Sequence, residues 1–169
     1  MSVALRDLNQ QPRMRAWLEV TYAEWLREMG AAADDIRASR SHVANLLAMP
    51  GTHAVIIDRD GEPVGFAVVR SVPVGIAASM GSAAPYHLLE FYVTPVCRRL
   101  GVGSAAARLL FDRFVGHWEI KILTADVPAL MFWRRLLAGY APGGVSEIRG
   151  AGEIFQRFLS RAALSRGAR

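Results

Sequence analysis

Cysteine is nearly absent from this chain: Cys97 is the only one in 169 residues. A single thiol excludes an intrachain disulfide framework and a thiolate-rich zinc site, since both need several sulfurs. Lysine is as scarce, with Lys121 the lone exception among 20 basic residues that are otherwise arginine. No stretch approaches 18 consecutive apolar residues, so no membrane span is expected. The opening MSVALRDLNQQPRMR has no continuous apolar segment of the kind a secretory signal needs, and a cytoplasmic protein is the expectation. Charged residues make up only 21% of the chain against 52% hydrophobic ones, too apolar a balance for a disordered polypeptide.

What is present points to one globular unit. A chain of this length buries about 70% of the surface its unfolded form exposes. Neither an internal repeat nor a dividing linker is visible, so residues 1–169 are expected to form a single domain. The net charge of +5 and a pI near 10.1 admit nucleic-acid binding in principle. The arginines are scattered, however, and the loose tail cluster Arg157, Arg161, Arg166, Arg169 has neither interleaved aromatics nor a recognisable motif. The charge therefore reads as solvated surface plus a site for an anionic cofactor, with no nucleic-acid partner expected.

Apolar periodicity orders the elements. Val3 to Leu5 reads as an edge strand; Pro12 at a first helical position, then Met14, Trp17, Leu18, Thr21 and Trp25, read as an amphipathic helix; Asp34 to Met49 reads as a second, stopped by Pro50-Gly51. HAVIID (His53 to Asp58) and PVGFAVVRS (Pro63 to Ser71) flank Arg59-Asp60-Gly61-Glu62, a hairpin with Asp-Gly at its centre. Val72 to Tyr86 is rich in Gly, Ala, Ser and Pro and long for a connection inside a compact domain. Strand His87 to Val93, helix Gly103 to Val115, strand Trp118 to Leu123 and helix Pro128 to Leu137 follow, the last entered by Asp126 as N-cap. One or two strands around Glu153 to Leu159 close the chain.

The residues that carry chemistry lie in Glu90 to Ser104, EFYVTPVCRRLGVGS, where a strand passes through a proline-broken loop into a glycine-punctuated helix start. A helix's first turn holds backbone N–H groups without partners and a partial positive charge, so it suits a pyrophosphate. Gly101 and Gly103 allow close backbone approach, and Arg98 and Arg99 are cationic donors shaped for phosphate oxygens. A Walker A loop requires lysine after its glycines and none is here. Gly101-Val102-Gly103-Ser104-Ala105-Ala106 fits a dinucleotide fingerprint on paper, but Pro95 and two arginines separate it from the strand, and no acidic residue ends a strand about 20 residues later.

The arrangement that fits is Arg98-x-x-Gly101-x-Gly103 preceded by V-x-P. The stretch FYVTPVCRRLGVGSAAARLL resembles the R/Q-x-x-G-x-G/A region of the GNAT superfamily of N-acetyltransferases, more narrowly its bacterial group known only as predicted acetyltransferases. WEIKIL, then ALMFW, then Gly139-Tyr140 resemble that superfamily's next strand, its A-x-x-F-Y/W helix and its final strand start. The resemblance implies an α/β (α+β) fold: a mixed, mostly antiparallel sheet with splayed central strands flanked by helices. It implies acetyl-CoA as donor, with Phe91, Tyr92 and Val93 pairing with pantetheine through their backbone. Arg98, Arg99, Leu100, Gly101, Val102, Gly103 and Ser104 would hold the pyrophosphate, with Asp126 as a further cofactor contact where many members carry Asn. The partner is an unidentified amine, attacked directly in a ternary complex, with no metal and no membrane; dimers are frequent in the superfamily, which leaves a homodimer open.

For the proton the amine must lose, Glu90 and His87 are the candidates, on opposite faces by strand alternation unless a bulge intervenes. Trp133 stands where many members place a tyrosine acid, and indole has no acidic proton at useful pKa. A non-catalytic acyl-CoA-binding module is the alternative that this departure raises. Cys97 beside two arginines is read as packing, since no partner base accompanies it. Determinants of the acceptor are expected in Trp17 to Met29 and Val72 to Tyr86.

Overall fold

The computed structural model describes residues 1–10, 13–73, 75–76, 84–141 and 143–161. Pro12, most of the loop between Val72 and Tyr86, and Arg166 and Arg169 lie outside the described residues. Among those described, the elements run β1 (Val3–Asp7), α1 (Met14–Glu28), α2 (Ala33–Ala48), β2 (Thr52–Arg59), β3 (Glu62–Ser71), β4 (Tyr86–Val93), α3 (Val102–Arg113), β5 (His117–Leu123), α4 (Val127–Tyr140), β6 (Ser146–Arg149) and β7 (Glu153–Leu159).

The seven strands follow the order β1-β2-β3-β4-β5-β7-β6, mostly antiparallel. β1 runs against β2 from Val3 opposite Arg59 to Asp7 opposite Val55. The β2–β3 hairpin turns at Asp60 (φ 53°) and Gly61 (φ 99°), the two left-handed residues that a type I′ turn requires, and the Asp58 carboxylate accepts the Gly61 N–H at 2.7 Å. β4 and β5 are parallel, paired from Tyr86 opposite Trp118 to Leu88 opposite Ile120. β7 lies antiparallel to both β5 and β6.

Two compact units are distinguishable: residues 1–69 with 90–103, and residues 70–89 with the chain from Ser104 onward. In the first, Val55 to Ile57 and Phe66 to Val69 are buried without alternation, which means both faces of these strands are covered. α1 buries Leu18, Thr21 and Tyr22, and α2 buries Val43 and Leu46. Tyr22 packs on Trp25 (ring centroids 5.1 Å apart) and Phe66 (5.9 Å), and Phe66 on Tyr92 (5.7 Å). Here β3 and β4 come so close that a β-carbon on Gly65 would lie 2.3 Å from the Tyr92 carbonyl oxygen.

The second unit is built around Phe111 of α3, whose ring meets Trp118 at 4.8 Å, Phe158 at 4.9 Å and Tyr140 at 5.3 Å. Such contacts contribute about 0.5–1.5 kcal/mol per pair beyond the area they bury. Asp126 caps α4 as its spacing predicts, accepting the Ala129 N–H at 3.0 Å. One expectation is corrected: Gly139 and Tyr140 do not start a strand but end α4. The reason is Tyr140 itself, fully buried, with its hydroxyl donating to Asp112 at 2.7 Å, which holds the helix for one turn more than Leu137.

Candidate functional site

The first unit brings Glu90, Phe91, Tyr92, Val93 and the loop Arg98 to Gly103 together with α1. β4 ends at Val93, and Pro95 to Cys97 makes a single 3-10 turn closed by Cys97 N–H to Thr94 O (2.9 Å) and Arg98 N–H to Pro95 O (3.1 Å). Thr94 N–H donates to Val64 O at 2.9 Å, tying the strand exit to β3. Cys97 is buried with its sulfur 3.9 Å from Arg59 Nη1, the environment of a packed thiol.

Arg98 holds this loop in place. Its Nε donates to the Val93 carbonyl at 2.8 Å, and its two terminal nitrogens form a fork on the Glu28 carboxylate, one of them at 2.9 Å. The Tyr92 hydroxyl donates to the same carboxylate at 3.2 Å, and the guanidinium lies over the Tyr92 ring at 5.2 Å. Hydrogen bonds from Arg98 hold the Glu28 carboxyl below the usual range, and burial with the Glu28 charge pushes the Tyr92 phenol up. Three of the five Arg98 N–H donors are thus turned onto protein, which leaves most of the outward donors of the loop to its neighbours.

Those neighbours are exposed. Arg99 sits at φ 63° and Gly101 at φ 82°, so the chain curls twice through the left-handed region before α3 begins at Val102. A non-glycine residue held there costs on the order of 1–2 kcal/mol and persists where surrounding structure enforces it. Leu100 is about half exposed and Arg99 is on the surface, Val102 is buried as the helix anchor, and Gly103 is half-buried in the first turn. That turn presents amides lacking intrahelical partners, the arrangement an anion needs.

Glu90 is half-buried, and Tyr22 of α1 donates its hydroxyl to it at 3.3 Å. Burial first, then the Glu90 charge, drives the Tyr22 phenol well above its ordinary value, so it stays a protonated donor. Sequence reasoning missed Tyr22 and Glu28. The helical stripe of α1 is satisfied by Leu18 and Thr21, and partners 68 and 70 residues away leave no local spacing to read.

In the second unit, His87 Nδ1 lies 3.3 Å from Glu119 Oε1, and Glu119 Oε2 accepts from Arg157 Nε at 2.6 Å. Ser104 is half-buried in the first turn of α3, Asp126 is engaged as the cap of α4, and Trp133 is buried against Phe132 (4.8 Å) and Phe111 (6.2 Å). Among the described residues no group of three or more His, Cys, Asp or Glu side chains is arranged for a metal, and no helix is long and apolar enough to cross a membrane.

The sequence matches the model of the acetyltransferase (GNAT) family over residues 6–138. The chain belongs to the GNAT acetyltransferase family. Solved structures share the fold of this GNAT chain at low identity. An acetyltransferase from Thermus thermophilus is 13% identical, covering 94% of this chain and 96% of that one with a TM-score of 0.66. A PaiA N-acetyltransferase from Thermoplasma acidophilum, in complex with coenzyme A, is 11% identical with coverages of 94% and 99% and a TM-score of 0.65. The aminoglycoside acetyltransferase AAC(6')-Ib, also in complex with coenzyme A, is 18% identical with coverages of 99% and 100% and a TM-score of 0.65. No curated protein matches the chain.

Proposed function

We propose that this GNAT chain acts as a single-domain, acetyl-CoA-dependent N-acetyltransferase that moves an acetyl group to a primary amine by direct attack. The observation that carries the reading is the loop Arg98 to Gly103: bolted to β4 and α1 by Arg98, twice left-handed, and opening onto the first turn of α3. The coenzyme A complexes of similar folds support it.

In this reading the amides from Arg99 to Ser104 and the Arg99 guanidinium hold the pyrophosphate, and Arg98 is the positioning residue behind them. The backbone edge at Phe91, Tyr92 and Val93 pairs with the pantetheine amides. Glu90 takes the proton of the attacking ammonium, with the Tyr22 hydroxyl fixing its orientation. The amine nitrogen forms the C–N bond and releases its second proton to solvent, the C–S bond breaks, and the thiolate takes a proton from water, since buried Trp133 has none to give. Positioned proton transfer of this kind contributes about 10²–10⁴ in rate.

The test is Gly103→Asp, which sets a side chain and a negative charge in the first turn of α3. Calorimetry is expected to show acetyl-CoA affinity abolished with the melting transition retained; unchanged affinity refutes the assignment. Thiol release over an amine library then separates an enzyme from a non-catalytic acyl-CoA-binding module, which releases none.

A further inference from the structure

A second set of polar groups, outside the loop and strand edge used above, lacks partners. Arg70 at the end of β3 is half-buried, its Nε is shielded from solvent without a hydrogen bond, and its guanidinium has no ion pair among the described residues. His87 Nε2 is likewise unsatisfied, on a side chain only 16% exposed. Val72 N–H donates to Pro85 O at 2.8 Å, and two residues in from that bond on each strand stand Arg70 and His87. Both line one cavity of about 110 Å³, with Val72 and Leu89 as its apolar walls.

A buried polar group without a partner costs about 1–3 kcal/mol, and more when it is charged. Two such groups lining one small cavity therefore describe a site that a ligand completes. Its sign follows from the charges nearby. Glu119 is already committed to Arg157 and to His87 Nδ1, so it fixes the ring with Nε2 on the other side. Among the described residues Arg70 remains an uncompensated cation, which repels an ammonium and calls for an anion. A planar guanidinium with room for a few heavy atoms matches a carboxylate.

We propose that Arg70 and His87 form a recognition site for a carboxylate. One carboxylate oxygen accepts from Arg70, and the other accepts from His87 Nε2–H, with Nδ1–H directed to Glu119.

Two measurements on the intact chain test this. The first follows the His87 imidazole by nitrogen NMR during titration with propionate and, separately, with propionamide. A saturable shift with propionate in the wild type that is absent in Arg70→Gln, partly kept in Arg70→Lys and not given by propionamide supports the site; no shift, an equal response to propionamide, or a shift that survives Arg70→Gln overturns it. The second is calorimetry with acetyl-CoA, whose affinity is expected to be unchanged in both variants; loss of that affinity in Arg70→Gln assigns the cation to the cofactor and overturns the proposal.

Discussion

Replacing Gly65 with alanine is the sharpest perturbation of the scaffold under the site. A β-carbon there would stand 2.3 Å from Tyr92 O and 3.2 Å from both Tyr92 C and Val93 Cα. All three are backbone atoms, so no side chain can rotate away, and β3 and β4 must part locally by about 1 Å. Overpacking of this kind costs about 1–3 kcal/mol. The adjacent bond from Thr94 N–H to Val64 O, 2.9 Å long, is strained by the same movement and adds about 1 kcal/mol. The sum, about 2–4 kcal/mol, is a large fraction of the roughly 5–15 kcal/mol that holds a domain folded. At about 2–4 °C per kcal/mol for a chain of this size, the melting temperature is expected to fall by about 5–15 °C. Acetyl-CoA affinity measured below the transition is expected to fall as well, because the displaced strand, β4, carries the backbone assigned to pantetheine. Gly143→Ala is the control, with nothing within 4 Å of the added carbon and an expected shift of no more than about 2 °C. If differential scanning calorimetry shows the two variants melting together, the close approach at Gly65 is not a constraint and the reasoning fails.

Glu28→Gln removes the carboxylate that anchors Arg98. Because the two side chains are 37% and 39% exposed, solvent screening limits the stability loss to about 0.5–1 kcal/mol, while acetyl-CoA affinity drops further as the loop loosens. The Glu28 carboxyl titrates lower in the folded protein than in the unfolded one, so its contribution is full above the ordinary carboxylate value of 4.5 and is lost as pH falls through the folded value. Wild type and Glu28→Gln should therefore differ at pH 7 and converge in acid, and a constant difference across that range contradicts the ion pair. Glu90→Gln is expected to bind acetyl-CoA normally and lose at least about tenfold in turnover near neutral pH, with partial recovery at high pH where free amine is abundant. Unchanged turnover with a lowered melting temperature assigns Glu90 a structural role with Tyr22 instead.

Much of this molecule was legible because its signals are local. The Asp60-Gly61 turn, the proline-broken exit from β4, the glycines before α3 and the Asp126 cap each act over two to four residues, and spacing alone encodes them. Periodicity likewise placed the helices and strands, and the spacing of Arg98, Gly101 and Gly103 marked the family. What the spacing did not carry is how those residues are engaged. Arg98 reads in sequence as a phosphate ligand and is folded as a clamp on Glu28, 70 residues away. Gly139-Tyr140 reads as a strand start and is folded as a helix end, because a tyrosine that reaches Phe111 and Asp112 gains more from burial than from joining a sheet. The pairings of Tyr22 with Glu90 and of His87 with Glu119 depend on strand register and helix docking. Register and docking are collective properties of the packed chain, set by the apolar faces that bury together, and no short stretch of sequence contains them.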